Sequence, residues 1–172
     1  SYPELAAELP TVLNDEYTQF EIKLRPGVYW SDGVEFTADD VIFTLDTYFN
    51  NKDKLTYFGV PVITNYVKSY EKVDDYTLRV ETVKPAYDFA TTMGVYTWGS
   101  AFNIVPKHIF EKVEDLTTFK NEYPVTLGAY TLKSYDPNGQ WHLWERREDW
   151  DRSATAPLGE PAAKYVFYKN FG

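Results

Sequence analysis

Residues 17–49, YTQFEIKLRPGVYWSDGVEFTADDVIFTLDTYF, constrain the fold more than any other part of this chain. They compress a strand, a tight turn and a capped amphipathic helix into one short run. Phe20, Ile22 and Leu24 alternate with Gln19, Glu21, Lys23 and Arg25, the two-residue period of a strand with one buried face. Pro26-Gly27 ends that strand. Ser31-Asp32-Gly33 predicts a second turn, because glycine supplies positive φ and aspartate caps its own turn. Thr37 then stands as a helix N-cap, with Asp39 and Asp40 in a first turn that favours negative charge. Val41, Ile42, Leu45, Tyr48 and Phe49 follow at helical spacing and define one apolar face.

Further along, residues 50–54 are a polar break and 55–62 read as a mixed apolar loop containing Gly59 and Pro61. Tyr76, Leu78 and Val80 alternate with Thr77, Arg79 and Glu81. With Asp74-Asp75 as the turn, this predicts a hairpin over 66–82. Residues 85–93 predict a short helix, since proline suits its first turn. An aromatic loop, GVYTWGSAFN, covers 94–103. Pro106 opens another helix with Ile109, Phe110 and Val113 on one side, and Leu116, Phe119 and Tyr123 predict a further helical piece.

A second hairpin, 129–135 with 140–146, surrounds the turn sequence Asp136-Pro137-Asn138-Gly139. Residues 153–163 form a loop and 165–168 a closing strand. Strands and helices do not alternate as βαβ units, so the expected class is α+β with mostly antiparallel or mixed sheet and several helices.

Composition narrows the functional classes. The 172 residues fit a single domain with a real core, and 44% hydrophobic content argues against disorder. A formal charge of −9 argues against a nucleic-acid partner, because phosphate recognition needs clustered Lys and Arg. There is no cysteine, hence no disulfide, thiolate chemistry or Cys-based zinc site. No run approaches the ~18 apolar residues of a membrane span. Aromatic residues reach 18%, with 15 Tyr, 11 Phe and 5 Trp. Aromatic-rich strands account for many of them; a ligand cleft, whose rings stack on sugar or peptide groups, is the other use.

Catalytic signatures are lacking: there is no G-x-S-x-G elbow, no phosphate-cradling glycine loop and no H-E-x-x-H pair. His108 and His142 lie in different elements and read as surface or half-buried residues. The pairs Asp39-Asp40, Asp74-Asp75 and Glu148-Asp149 fall at a helix start, a turn and a loop, where acids cap and solvate. The expectation is therefore a binding protein, with no enzyme activity, cofactor or metal.

Four segments in order, residues 17–44, 70–85 (YEKVDDYTLRVETVKP), 103–111 (NIVPKHIFE) and 127–150 (LGAYTLKSYDPNGQWHLWERREDW), resemble the extracytoplasmic solute-binding proteins, family 5, that serve ABC importers of peptides, nickel and some oligosaccharides. The resemblance implies a subdomain, residues 1–172, of the first lobe of a two-lobed type II periplasmic-binding-protein fold. It places the protein in the periplasm or at the cell surface. It also implies that the lobes close around a ligand and deliver it to a membrane permease. In such proteins the cleft receives side chains from the loop after the first long helix and from the segment before the VPKH sequence. Here those are Tyr57, Phe58, Tyr96, Trp98 and Phe102. Trp98, between Gly94 and Gly99, is the foremost stacking candidate, with a loop aromatic folded into the core as the competing reading. Trp30 reads as structural and Trp150 as packing, while Trp141 and Trp144 point to opposite faces of one strand. Peptide and oligosaccharide both stand as ligands. A self-contained carbohydrate-binding module is the alternative from another class. A piece of a larger lobe is also expected to expose apolar surface and self-associate.

Overall fold

A computed structural model describes residues 4–94 and 102–170. The elements in order are β1 (Thr11–Val12), β2 (Gln19–Lys23), α1 (Ala38–Asn50), α2 (Gly59–Tyr66), β3 (Val67–Asp74), β4 (Thr77–Thr82), α3 (Phe89–Gly94), α4 (Lys107–Phe110), β5 (Tyr130–Tyr135), β6 (Trp141–Arg146) and β7 (Tyr165–Lys169). Every strand pairing is antiparallel, and the class is α+β, as the alternation patterns predict. The chain forms two compact units: Ser1–Pro26 with Thr37–Phe119, and Gly27–Phe36 with Lys120–Gly172.

The first unit holds a four-stranded sheet in the order β1-β2-β4-β3. Phe20 pairs with Val80 and Ile22 with Leu78, so the alternating apolar positions of β2 and β4 share one face. Phe20, Leu78 and Val80 are buried. On the opposite face Arg79 lies between its register partners Glu21 and Glu71, at 3.1 and 3.8 Å. Thr37 caps α1 in a reciprocal box: its hydroxyl accepts from the Asp39 N–H, and the Asp40 carboxylate accepts from the Thr37 N–H. The buried face of α1 carries Ala38, Asp40, Val41, Thr44, Leu45 and Tyr48. Its flank meets β3, where Phe49 packs against Tyr70 and the Tyr70 hydroxyl donates to Asp46 at 2.7 Å. Phe89 of α3 stacks on Phe20 with centroids 4.0 Å apart.

Three sequence expectations change here. The loop foreseen over 55–62 gives way, from Gly59, to α2, whose Val60 and Ile63 are fully buried. Pro61 is tolerated because it is the third helical residue, and the first four N–H groups of a helix have no internal partner to lose. The helix foreseen over 85–93 starts only at Phe89, after a turn. No helix forms around Leu116–Tyr123. Instead Asp115 accepts from both the N–H and the hydroxyl of Thr117, a side-chain turn that competes with helical bonding. α4 is a single turn after Pro106.

The second unit holds the sheet β5-β6-β7. The β5–β6 connection is the expected turn, with Gly139 at φ 73° and its N–H donating to the Asp136 carbonyl. Residues 27–36 form a small hairpin in this unit. The Trp30 N–H donates to Val34, the Phe36 N–H to Val28, and Gly33 takes φ 89°. Trp30 is buried and packs edge-on to Phe36, in keeping with a structural role. Arg147, 5% exposed, ties the hairpin down. Its guanidinium donates to the carbonyls of Tyr29, Trp30 and Gly128 and forms a two-pronged pair with Asp149. That pairing, chiefly the hydrogen bond from Arg147, holds the Asp149 carboxyl below the usual aspartate range.

Candidate functional site

The site grows from one face of α1. Asp40, Thr44 and Tyr48 recur every four residues and so lie one above the other. Each presents an oxygen to the backbone of a segment that runs past the helix. The Lys107 N–H donates to Asp40 Oδ1 at 2.9 Å, the Val105 N–H to Thr44 Oγ1 at 3.1 Å, and the Asn103 N–H to Tyr48 Oη at 3.3 Å. Alternate amides of the segment thus meet successive turns of the helix. The match is metrical: a helical turn rises about 5.4 Å and two extended residues span about 6.6 Å. Segment 103–107 is held against α1 as if by a ladder made of side chains.

At the far end of that ladder the rings of three aromatic residues gather. Tyr48 meets Tyr57 at 6.3 Å and 66°, and Phe102 at 5.9 Å and 78°, both edge-to-face. The Asn103 side-chain amide donates to the Tyr57 hydroxyl. Tyr48 is buried, and that burial raises its phenol above the ordinary tyrosine range; the Asn103 N–H opposes the shift and Tyr57 adds to it. Tyr57 is 41% exposed and Phe58, next to it, 63%. The result is a neutral aromatic wall with an amide at its edge. Such a surface can stack on a sugar ring or an apolar peptide side chain, and it offers no charge to an ionic ligand.

Of the five predicted site residues, Tyr57 and Phe102 come together around Tyr48, and Phe58 lies exposed on the same connection. Tyr96 and Trp98 lie outside the described residues. The sequence reading placed Tyr48 among core positions and did not single out Asn103. Its available signal was the polar spacing Asp40, Thr44, Tyr48 inside an otherwise apolar face. Trp141 packs against Phe167 across β6 and β7, and His142 stacks on Tyr168 at 5.4 Å. Among the described residues no group of three His, Cys, Asp or Glu side chains stands close enough to hold a metal ion.

The described residues thus form an antiparallel α+β scaffold that carries an uncharged aromatic cluster. The sequence profile described as bacterial extracellular solute-binding proteins, family 5, middle region, matches residues 1–170, and the chain belongs to that family. It is 27% identical over 171 residues to the oligopeptide-binding protein AppA of Bacillus subtilis, covering 87% of this chain and 26% of that protein. The periplasmic oligopeptide-binding protein of an ABC transporter from Thermotoga maritima superposes with a TM-score of 0.78 at 28% identity, over 97% of this chain and 29% of that one. A mannohexaose-bound structure of the same protein gives 0.77 at 27%. The chain therefore spans under a third of the length of these relatives. Family members are extracellular or periplasmic, and no described helix is long and apolar enough to cross a membrane.

Proposed function

We propose that this chain builds part of the first lobe of an ABC-importer substrate-binding protein and supplies one aromatic wall of its ligand cleft. The whole protein would capture a peptide or oligosaccharide outside the cytoplasmic membrane, close its lobes around it and deliver it to the permease. The observation that carries this reading is the cluster Tyr48–Tyr57–Phe102, held by the α1 ladder in a chain whose family match runs almost end to end. Catalysis is no part of the proposal, because the relatives are solute-binding proteins and the wall offers ring faces and an amide rather than a reactive group.

Two ligand classes fit a neutral aromatic wall. The relatives named for oligopeptides favour peptide, and the mannohexaose complex of one of them keeps oligosaccharide beside it. The alternative of a self-contained carbohydrate-binding module has less support, since the family and fold matches are both to transporter proteins.

Tryptophan-fluorescence titration with short peptides and with mannohexaose, on this chain and on a longer polypeptide that contains it, tests the reading. Saturable binding by the longer polypeptide with little by this chain supports a shared cleft, and the ligand that saturates names the substrate class. Equal affinity for the chain alone would overturn it in favour of a complete module.

A further inference from the structure

We propose that Asn103 sets the ligand class of the aromatic wall: its side-chain amide, fixed at the rim of the Tyr57 ring, reads the hydroxyl groups of a neutral saccharide stacked on that wall. The inference rests on the cleft role proposed above and names the ligand that role implies. Asn103 is exposed and is held through both its backbone and its side chain. Its backbone N–H donates to Tyr48 Oη at 3.3 Å, and its side-chain Nδ2 donates to Tyr57 Oη. Two residues on, the Val105 N–H donates to Thr44 Oγ1, so the segment that carries the amide is pinned to α1 at a second point. A recognition group ordered before its ligand arrives has less freedom to lose on binding. The bond to Tyr57 also fixes the sense of the amide. The second N–H of Nδ2 and the carbonyl oxygen Oδ1 remain, and no described residue donates to Oδ1.

A donor and an acceptor side by side at the rim of a partly exposed ring match a pyranose. Such a sugar has an apolar C–H face that stacks on an aromatic ring and a rim of hydroxyls, each both donor and acceptor. The four side chains that meet here, Tyr48, Tyr57, Phe102 and Asn103, carry no charge, in keeping with a neutral ligand. An apolar peptide side chain on the same ring would bring only C–H groups to the rim. It would desolvate the Asn103 carbonyl oxygen without replacing its hydrogen bond. Main-chain recognition of a peptide by strand addition is closed off on this segment as well, since it needs a row of outward backbone N–H groups. The N–H groups of Asn103, Val105 and Lys107 are taken up by α1. Of the two residues between them Pro106 has no N–H, which leaves at most that of Ile104.

Isothermal titration of a longer polypeptide that contains this chain tests the assignment. Mannohexaose, cellohexaose and maltohexaose serve as saccharide probes, and uncharged hexapeptides as the rival class. One of the hexasaccharides is expected to bind more tightly than any of the peptides. Asn103→Leu, close in size but without polar side-chain atoms, should weaken that saccharide about tenfold or more while leaving peptide affinity unchanged or raised. Tyr57→Phe removes the tether but keeps both the ring and the amide, so it should weaken saccharide binding only about two- to threefold, through lost preorganisation. Both variants should melt at the temperature of the unaltered protein, since Asn103 is exposed. Equal weakening of both ligand classes by Asn103→Leu would make Asn103 a residue that merely shapes the wall, and would overturn the proposal. A lowered melting temperature with unchanged saccharide affinity would assign the amide to packing against further chain, and would overturn it equally. A peptide as the tightest ligand would overturn the saccharide assignment and leave the cleft role standing. Binding of no probe at all would instead remove the cleft role itself, and this proposal with it.

Discussion

The carboxylate of Asp40 serves two partners at once: Oδ2 accepts the Thr37 N–H at 3.1 Å and Oδ1 accepts the Lys107 N–H at 2.9 Å. One buried side chain thus closes the N-terminus of α1 and anchors the start of α4. Replacing it with alanine opens the capping box and orphans a part-buried amide. The expected loss is about 2–4 kcal/mol of stability, combining a cap with an unsatisfied donor. Asp40→Asn keeps one acceptor oxygen and should lose about half of that. Thermal and urea denaturation of the two variants measure the difference.

Thr44→Val tests the middle rung. The substitution nearly preserves shape but removes the acceptor of the Val105 N–H and the donor to the Asp40 carbonyl. Leaving that amide unpaired should cost about 1–3 kcal/mol. Hydrogen exchange at Val105 should accelerate well beyond that of the β2–β4 ladder. Unchanged protection would mean that segment 103–107 is held by packing alone.

The aromatic wall separates binding from folding. Phe58 is well exposed, so Phe58→Ala should leave the melting temperature nearly unchanged while lowering ligand affinity several-fold in a polypeptide competent to bind, since stacking on a ring is worth about 0.5–1.5 kcal/mol. Tyr48→Phe should lower affinity less. It keeps the central ring and removes only the weak Asn103 contact at 3.3 Å. Isothermal titration with the saturating ligand distinguishes the two.

Arg147 gives a pH-dependent prediction. Asp149 has its carboxyl pKa depressed in the folded state, so its contribution is present above the unfolded aspartate value of about 3.9 and fades as pH falls through the lower folded value. The unaltered protein should therefore lose stability below about pH 4, and Asp149→Asn should flatten that part of the profile. Arg147→Ala should cost about 2–4 kcal/mol at neutral pH, because the carbonyls of Tyr29, Trp30 and Gly128 lose a shared donor. Denaturant titrations from pH 3 to pH 7 check both.

Local chemistry determined much of this protein. The alternation around Phe20 and Leu78, the Thr37 cap, and the glycine turns at Gly33 and Gly139 each depend on residues within a few positions, so they were readable in order along the chain. The family followed from the same runs. Tertiary structure decided the rest. It made a helix through Pro61, where burial of Val60 and Ile63 outweighed poor local propensity. It assigned residues 27–36, central to the most legible stretch of the sequence, to a different compact unit from the strand and helix beside them, because Arg147 supplies donors for that hairpin's carbonyls. The ladder from Asp40, Thr44 and Tyr48 joins residues 67, 61 and 55 positions apart. No local pattern encodes such pairings. A backbone amide takes whichever acceptor the folded chain brings to it, and that choice is made only when the distant segments meet.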